Sequence, residues 1–311
     1  MNLSGLLPLI ENLAAFRSLT AALRAQATVT AGVIESARAP MLAALSRTLS
    51  VPIVILTARN DRAKQLVDEI GVWTQNGGSV HLFPEPEPLF YERMPWSVET
   101  IAARLGAFAA LANIAAPIIV ASARALMQRT VPSADFRAGI RVLRRGESKS
   151  LTELLSVLVT LGYEYEAVVE APGAFSRRGG ILDVWPPANA QPVRVEFVGD
   201  EIASLRAFDP ATQRSAQESD ALTIVPASEA LPGRGRDVAR AVAAWDLSAC
   251  HPIAASTFKQ DRDALEEGRR FHGIEFYLPY FYPRAASLAD HLSDTGLLVI
   301  ENWSKVEATA Q

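Results

Sequence analysis

The chain has 311 residues, of which 49% are hydrophobic and 21% charged, enough to bury a substantial core in about two domains. A net charge of −4 excludes a global attraction to polyanions, so contact with nucleic acid would need a local basic patch. The single cysteine, Cys250, excludes an internal disulfide framework and a cysteine-cluster zinc site, and is expected as a small buried hydrophobe.

The opening stretch MNLSGLLPLIENLAAF is interrupted by Pro8, Glu11 and Asn12 and has no basic flank. It predicts an amphipathic helix, not a signal peptide. No uninterrupted apolar run of about 18 residues occurs, so no membrane span and a cytoplasmic location are expected. β-rich runs then alternate with helical stretches: ATVTAGV with RAPMLAALSRTL, VPIVILTA with NDRAKQLVDEIGVWTQ, GSVHLFP with VETIAARLGAFAALAN, and finally PIIVASARALM. This order predicts a parallel α/β layer. Asn60 is expected to cap a helix whose Leu66, Ile70 and Trp73 share one face.

Within this layer VTAGVIESARAP has the outline of a phosphate-binding loop, an apolar run into a glycine and then a helix. With Gly32 as the first position of G-x-x-x-x-G-K-[ST], the remaining positions are Ala37, Arg38 and Ala39. Ala37 adds a methyl where amides must wrap phosphate, Arg38 replaces a compact ammonium with a wide fork, and Ala39 lacks the hydroxyl that would hold magnesium. Glu35 adds negative charge inside the loop. The stretch is no working Walker A loop, and on these residues alone an ordinary strand-to-helix turn is the better reading, since one glycine is a weak signal.

In FPEPEPLFYERMPW the alternating prolines predict an extended surface strap on which Glu85 and Glu87 are solvated. From about Thr130 the texture changes. Ser150 and Glu153 form a capping-box pattern before SLTELLSVLVTLGYE, and the chain then turns β-rich through EAVVEA, GGILDVW, PVRVEFV, EIASLRAF and ALTIVP. Three segments are therefore expected: residues 1–131 as the first part of an α/β domain, 132–226 as an inserted α+β domain, and 227–311 as the return to the first. The terminal strand DTGLLVIEN, with a texture like that of the first-domain strands, motivates the return.

In VRVEFV, Val193, Val195 and Phe197 alternate with Arg194 and Glu196, giving one apolar and one polar face. After a turn at Gly199 and Asp200, EIASLRAF can pair back, so that Arg194 and Arg206 share a sheet surface. Arg177 and Arg178 are expected on the preceding loop. Between Asp135 and Arg214 stand ten Lys/Arg and eleven Asp/Glu, a balance suited to a mixed-charge protein interface more than to a phosphate-tracking groove. Nothing in the sequence suggests catalysis: His81, His251, His272 and His291 are scattered, and neither a metal-ligand spacing nor a G-x-S-x-G elbow occurs.

The stretch from Gly173 to Ser215 resembles a segment shared by the excision-repair protein UvrB and the amino-terminal module of the bacterial transcription-repair coupling factors (Mfd). The resemblance rests on Arg178, Gly179, Asp183, Pro186, Arg194, Glu196, Phe197, Gly199 to Ile202, Arg206, Phe208, Asp209 and Gln213 to Ser215. It extends to LFPEPEPLFYERMPWSVETIAARLGAF, VASARALMQRTVP and HGIEFYLPYFYP, and so to nearly the whole chain.

The resemblance implies a P-loop-NTPase-like α/β domain, degenerate at Gly32, Ala37, Arg38 and Ala39, with an inserted α+β domain of the UvrA-binding type. The degenerate loop, and the absence of a tyrosine-rich hairpin from the first domain, favour the coupling factor over UvrB. On this resemblance the segment is a docking module without a catalytic residue, metal or cofactor of its own, recruiting UvrA to stalled RNA polymerase in transcription-coupled nucleotide excision repair. Arg177, Arg178, Arg194, Phe197 and Arg206 are the expected UvrA contacts. ATP, magnesium, RNA polymerase and double-stranded DNA would be partners of a longer parent chain, an ATP-dependent DNA translocase, through domains downstream. Two alternatives stay open: a UvrB-type nucleotide-dependent DNA-damage-binding protein, and an architectural domain that restrains an adjoining motor.

Overall fold

The computed structural model describes residues 2–74, 80–89 and 92–310. In chain order the strands are β1 (Ile53–Thr57), β2 (Val80–Phe83), β3 (Ile118–Ser122), β4 (Arg141–Arg144), β5 (Glu164–Tyr165), β6 (Ala174–Arg178), β7 (Ile181–Val184), β8 (Val193–Val198), β9 (Glu201–Phe208), β10 (Ser215–Glu218), β11 (Ala221–Ile224) and β12 (Leu297–Ile300). The chain divides into two compact units: Met1–Glu85, Ala107–Gln128 and Ser287–Gln311 form the first, and Pro86–Gly106 with Arg129–Ala286 the second. The division falls within the helix Val98–Asn113.

The first unit is built on a parallel sheet of order β12-β1-β3-β2. β1 (IVILT) and β3 (IIVAS) are buried at every position, as strands covered on both faces must be, and their unbroken apolar runs follow from that. Leu42 and Leu45 of the helix Glu35–Leu49 and Leu66 and Ile70 of the helix Asn60–Gly71 pack with Ile53, Ile55, Ile118 and Val120 into one core. β12 enters beside β1 with Leu297 opposite Ile53. Among the described residues no single helix is long and apolar enough to cross a membrane.

Three expectations change here. ATVTAGV forms no strand: Ala27–Ile34 has no regular structure, and Val29 and Val33, its bulkier residues before Ile34, are not buried, so pairing would gain little. Asn60 is the first residue of its helix, not its cap; Arg59 holds the cap position without a side-chain bond, and Asn60 Oδ1 is buried without a hydrogen-bond partner. The amino-terminal stretch breaks into two helices, Leu7–Glu11 and Ala14–Arg24.

The second unit carries a six-stranded sheet of order β10-β9-β8-β7-β6-β5, antiparallel except where β5 meets β6, and a separate β4–β11 pair. The helix Leu151–Thr160 lays Leu154 and Leu158 into a core with Tyr163, Leu182, Val195 and Leu205. Its N-terminus is held by the Ser150 hydroxyl, which accepts the Glu153 N–H at 3.4 Å. EAVVEA is a loop; the strands flanking it are β5 and β6, and Arg177 and Arg178 end β6 instead of lying in a loop.

Residues 227–286 group with this second unit, whereas the sequence places the return to the first domain at 227; the return comes at Ser287. The helices Gly235–Val242 and Pro252–Glu266 lie in this stretch. Within the unit, the Arg104 guanidinium meets the Glu229 carboxylate at 2.5 Å, with both side chains withdrawn from solvent (0% and 2% exposed) and Arg104 lying 4.9 Å over the Trp96 ring.

Glu85 and Glu87 are not freely solvated. In the first unit Glu85 accepts the Ser122 hydroxyl at 2.5 Å. In the second, Glu87 accepts hydroxyls from Ser97 and Thr100 at 2.6 Å each, bracing the start of the helix Val98–Asn113. Burial works to raise the Glu87 carboxyl, but these donors outweigh it and hold it below its ordinary value. Residues 90 and 91 of that strap lie outside the described residues.

Candidate docking surface

Strand pairing sorts the expected contact residues by face. Register pairs Ser176, Asp183, Arg194, Arg206 and Glu218 in one row across β6 to β10. The neighbouring row on the same face holds Arg178, Ile181, Glu196 and Ser204. Arg177 pairs with Leu182 and so falls on the opposite face by register, although its own side chain is exposed at the strand end. Phe197 points inward, 9% exposed and packed in the core. Of the five expected contacts, the structure brings Arg178, Arg194 and Arg206 onto one outer face and puts Arg177 and Phe197 on the other.

The outer face is closed at one end and open at the other. At the closed end Val169 and Ala174 cover Phe208, the Ser176 hydroxyl donates to Ala167 O at 3.1 Å, and Arg178 Nη2 donates to the same carbonyl at 3.1 Å. Arg194 is fixed there by a bidentate pair to the buried Asp183 carboxylate, 2.7 and 2.8 Å, with its guanidinium 4.9 Å over the Phe208 ring. Hydrogen bonding to Asp183 raises the Arg194 guanidinium still further above its ordinary value, so its charge is permanent. At the open end Arg206 reaches Glu218 at 3.2 Å with both side chains solvent-exposed, and the Ser204 hydroxyl donates to Glu196 at 2.7 Å.

One residue of this surface escaped the sequence reading. Val198 follows Phe197 and, by the alternation of β8, turns outward; at 73% exposure it is an apolar side chain set among charges beside the hairpin turn at Gly199. The signal was the two-residue period, which gives Phe197 to the core and its neighbour to solvent.

The stretch from Gly32 to Ala39 lies in the first unit. Gly32 is not in the left-handed region, and a Cβ added to it would meet nothing within 4 Å. Ala37 and Ala39 lie inside the helix Glu35–Leu49. Arg38, at the lysine position of the motif, donates to Glu301 at 2.8 Å. The same carboxylate accepts from Arg62 Nη2 at 2.9 Å, and Arg62 also reaches Glu69 at 2.9 Å. The one cation of the motif is thus held by a carboxylate that directly follows β12.

Among the described residues no group of three His, Cys, Asp or Glu side chains that could hold a metal ion occurs. His291 is buried and stacked on Phe108 with centroids 3.9 Å apart, and His251 Nδ1 accepts the Ile253 N–H at 3.3 Å. Cys250 is half-buried, not a core residue.

Residues 142–229 match the UvrB interaction domain. Over 287 residues the chain is 32% identical to a transcription-repair-coupling factor of Bacillus subtilis (strain 168), covering 89% of this chain and 24% of that protein. It is 34% identical over 279 residues to the factor of Myxococcus xanthus, covering 85% and 23%. It is 27% identical over 253 residues to that of Escherichia coli (strain K12), covering 79% and 21%. The chain thus spans about a quarter of the length of these relatives. It is a homologue of the transcription-repair-coupling factors, matching their amino-terminal part and carrying a UvrB interaction domain over residues 142–229.

Proposed function

We propose that this segment is a docking module of transcription-coupled nucleotide excision repair, and that the outer face of β6 to β10 is where it receives UvrA. The reading is carried by one observation: the segment that matches the UvrB interaction domain folds into a sheet whose solvent face presents Arg178, Arg206 and Val198 together. An exposed apolar side chain among arginines and carboxylates has the make-up of a protein interface, with the apolar group excluding water and the charges fixing register.

On this reading the segment performs no chemistry. Arg38 is neutralised by Glu301, and the loop before it lacks the strand that would aim backbone amides at a phosphate. An ATP- and magnesium-dependent motor, and contacts with RNA polymerase and double-stranded DNA, belong to other parts of a chain as long as its relatives. The loop from Gly32 to Ala39 is then a relic of a nucleotide site.

The test is binding of purified UvrA to this chain and to the double variant Arg178→Ala/Arg206→Glu, with circular dichroism as the folding control. Loss of about tenfold or more in affinity is expected, since rim charges steer and orient partners; unchanged binding by a folded double variant would remove this face from the interaction. Equilibrium dialysis with magnesium and ATP is expected to give no uptake by the chain, and stoichiometric uptake would restore the UvrB-type reading.

A further inference from the structure

The row of charges on the outer face does not end at β10. Glu218, the last residue of that strand, accepts from Arg206 Nε at 3.2 Å on one side, and on the other Arg145 brings Nη1 to 3.9 Å from its second carboxylate oxygen. Arg145 follows β4 and belongs to no strand. Its backbone is nevertheless held against the end of the sheet. The Arg145 N–H donates to Asp220 O at 3.0 Å, in the turn that leaves β10, and the next residue, Gly146, donates to Ile202 O of β9 at 2.8 Å. That turn is itself tied to β9, where Leu205 O accepts the Ser219 N–H at 2.9 Å.

The backbone is fixed here, but the three side chains stand in solvent: Arg145, Arg206 and Glu218 are 55, 40 and 61% exposed. Two guanidinium groups thus share one carboxylate, while the Asp220 carboxylate, exposed in the same turn, forms an ion pair with neither. Exposed pairs of this kind contribute little, so a carboxylate from outside can replace the one inside. Arg194 cannot be used in this way, because the buried Asp183 already takes both arms of its fork.

We propose that Arg206 and Arg145 together form a receptor for a carboxylate of the docking partner, and that Glu218 occupies this receptor in the free chain. The inference rests on the docking reading above and adds to it a residue, Arg145, and the chemistry of the group received, an Asp or Glu side chain of UvrA. Guanidinium forks suit a carboxylate because parallel N–H donors match its two oxygens, and the position of Glu218 shows that one fits between these two. Glu218 then acts as a built-in competitor. The partner's carboxylate has to displace it, which lowers affinity and makes the contact sensitive to salt.

The experiment is equilibrium binding of purified UvrA to the 311-residue chain and its variants, with circular dichroism as the folding control. Glu218→Gln, which keeps the shape and removes the competing charge, is expected to tighten binding about two- to fivefold, and Arg145→Ala to weaken it by a similar factor, the range of an exposed ion pair. In an Arg145→Ala/Arg206→Ala background Glu218→Gln should bring no gain, because it has no guanidinium left to release. Glu153→Gln removes the same charge from an exposed position on the helix Leu151–Thr160, which packs on the core and not on the outer face, and is expected to leave affinity unchanged. The inference is overturned if Glu218→Gln binds no tighter than the unaltered chain, if Arg145→Ala binds as tightly, or if Glu153→Gln gives the same gain as Glu218→Gln. Failure of the docking reading looks different: the unaltered chain does not bind UvrA, or Arg178→Ala/Arg206→Glu binds it unchanged, and both readings fall. If that double variant loses binding while Arg145→Ala and Glu218→Gln leave it unaltered, the outer face stands and only the carboxylate receptor is removed.

Discussion

Arg194 and Arg206 stand directly opposite each other on β8 and β9, yet their guanidinium groups serve different carboxylates, Asp183 for the one and Glu218 for the other. Like charges set across a strand pair repel, and the row Asp183–Arg194–Arg206–Glu218 resolves the conflict by bracketing the two cations with anions. The two pairs differ in burial. Asp183 is 5% exposed at its side chain and Glu218 is 61%.

That difference separates stability from recognition. Asp183→Asn leaves Arg194 half-buried without its charge partner and is expected to destabilise the second unit by about 3 kcal/mol, as breaking buried pairs does. Arg206→Ala breaks an exposed pair and should change stability by less than about 1 kcal/mol. Urea denaturation of both variants measures the contrast. Equal losses would mean that the Asp183 pair contributes no more than a surface one. Binding studies on this face are cleaner at Arg206 and Arg178 than at Arg194, whose replacement disturbs the fold.

A second buried pair can be tested in both directions. Arg104 and Glu229 are each almost without solvent contact, so a single replacement strands the other charge. Glu229→Gln is expected to cost on the order of 3–5 kcal/mol, and the apolar double variant Arg104→Met/Glu229→Leu to recover most of it, because well-packed hydrophobic groups often match a buried ion pair. Thermal and urea unfolding of the three proteins give the comparison. A double variant no better than the single one would show that the Arg104 contact with Trp96, and not charge, dominates.

Much of the fold could be read in the sequence, and the failures have common causes. Unbroken apolar runs marked β1 and β3, and the alternation of VRVEFV fixed which side of β8 faces the core. That same alternation sends Phe197 inward and Val198 outward, which matching residues to a family pattern obscured. ATVTAGV and EAVVEA have strand-like composition but no packing partner to reward pairing, and propensity alone does not form a strand. The ion pairs Arg38–Glu301 and Arg104–Glu229 join residues 263 and 125 positions apart, a separation that no local pattern encodes.

Glu301 gives the first unit an acid-labile element. Burial works to raise its carboxyl, but the hydrogen bonds from Arg62 and Arg38 outweigh burial and hold it below its ordinary value of 4.5. A carboxyl depressed in the folded state contributes stability that is fully present above the unfolded value and disappears as pH falls through the folded one. The unaltered chain should therefore lose stability below about pH 4.5 more steeply than Glu301→Gln, while at pH 7 the variant is the less stable of the two. Urea midpoints at pH 7, 5, 4 and 3 test the sign; parallel curves for the two proteins would leave Glu301 without a part in acid unfolding.

Two glycines provide the sharpest test of whether the Gly32 to Ala39 stretch is constrained. Gly162 has a φ of +88°, and a Cβ there would lie 2.8 Å from Ser228 Cβ, so Gly162→Ala meets both backbone strain and a clash. It should destabilise the second unit by roughly 1–3 kcal/mol. Gly32 has neither constraint, and Gly32→Ala should be neutral or stabilising by up to about 1 kcal/mol through loss of unfolded-state freedom. In a working phosphate loop the glycine is required for a backbone approach to the anion, and its replacement is felt in binding. Thermal unfolding of both variants, with the Gly32 protein also assayed for UvrA binding, is expected to leave Gly32→Ala at least as stable as the parent and unchanged in binding. A substantial loss at Gly32 would restore to that loop a role its present geometry does not support.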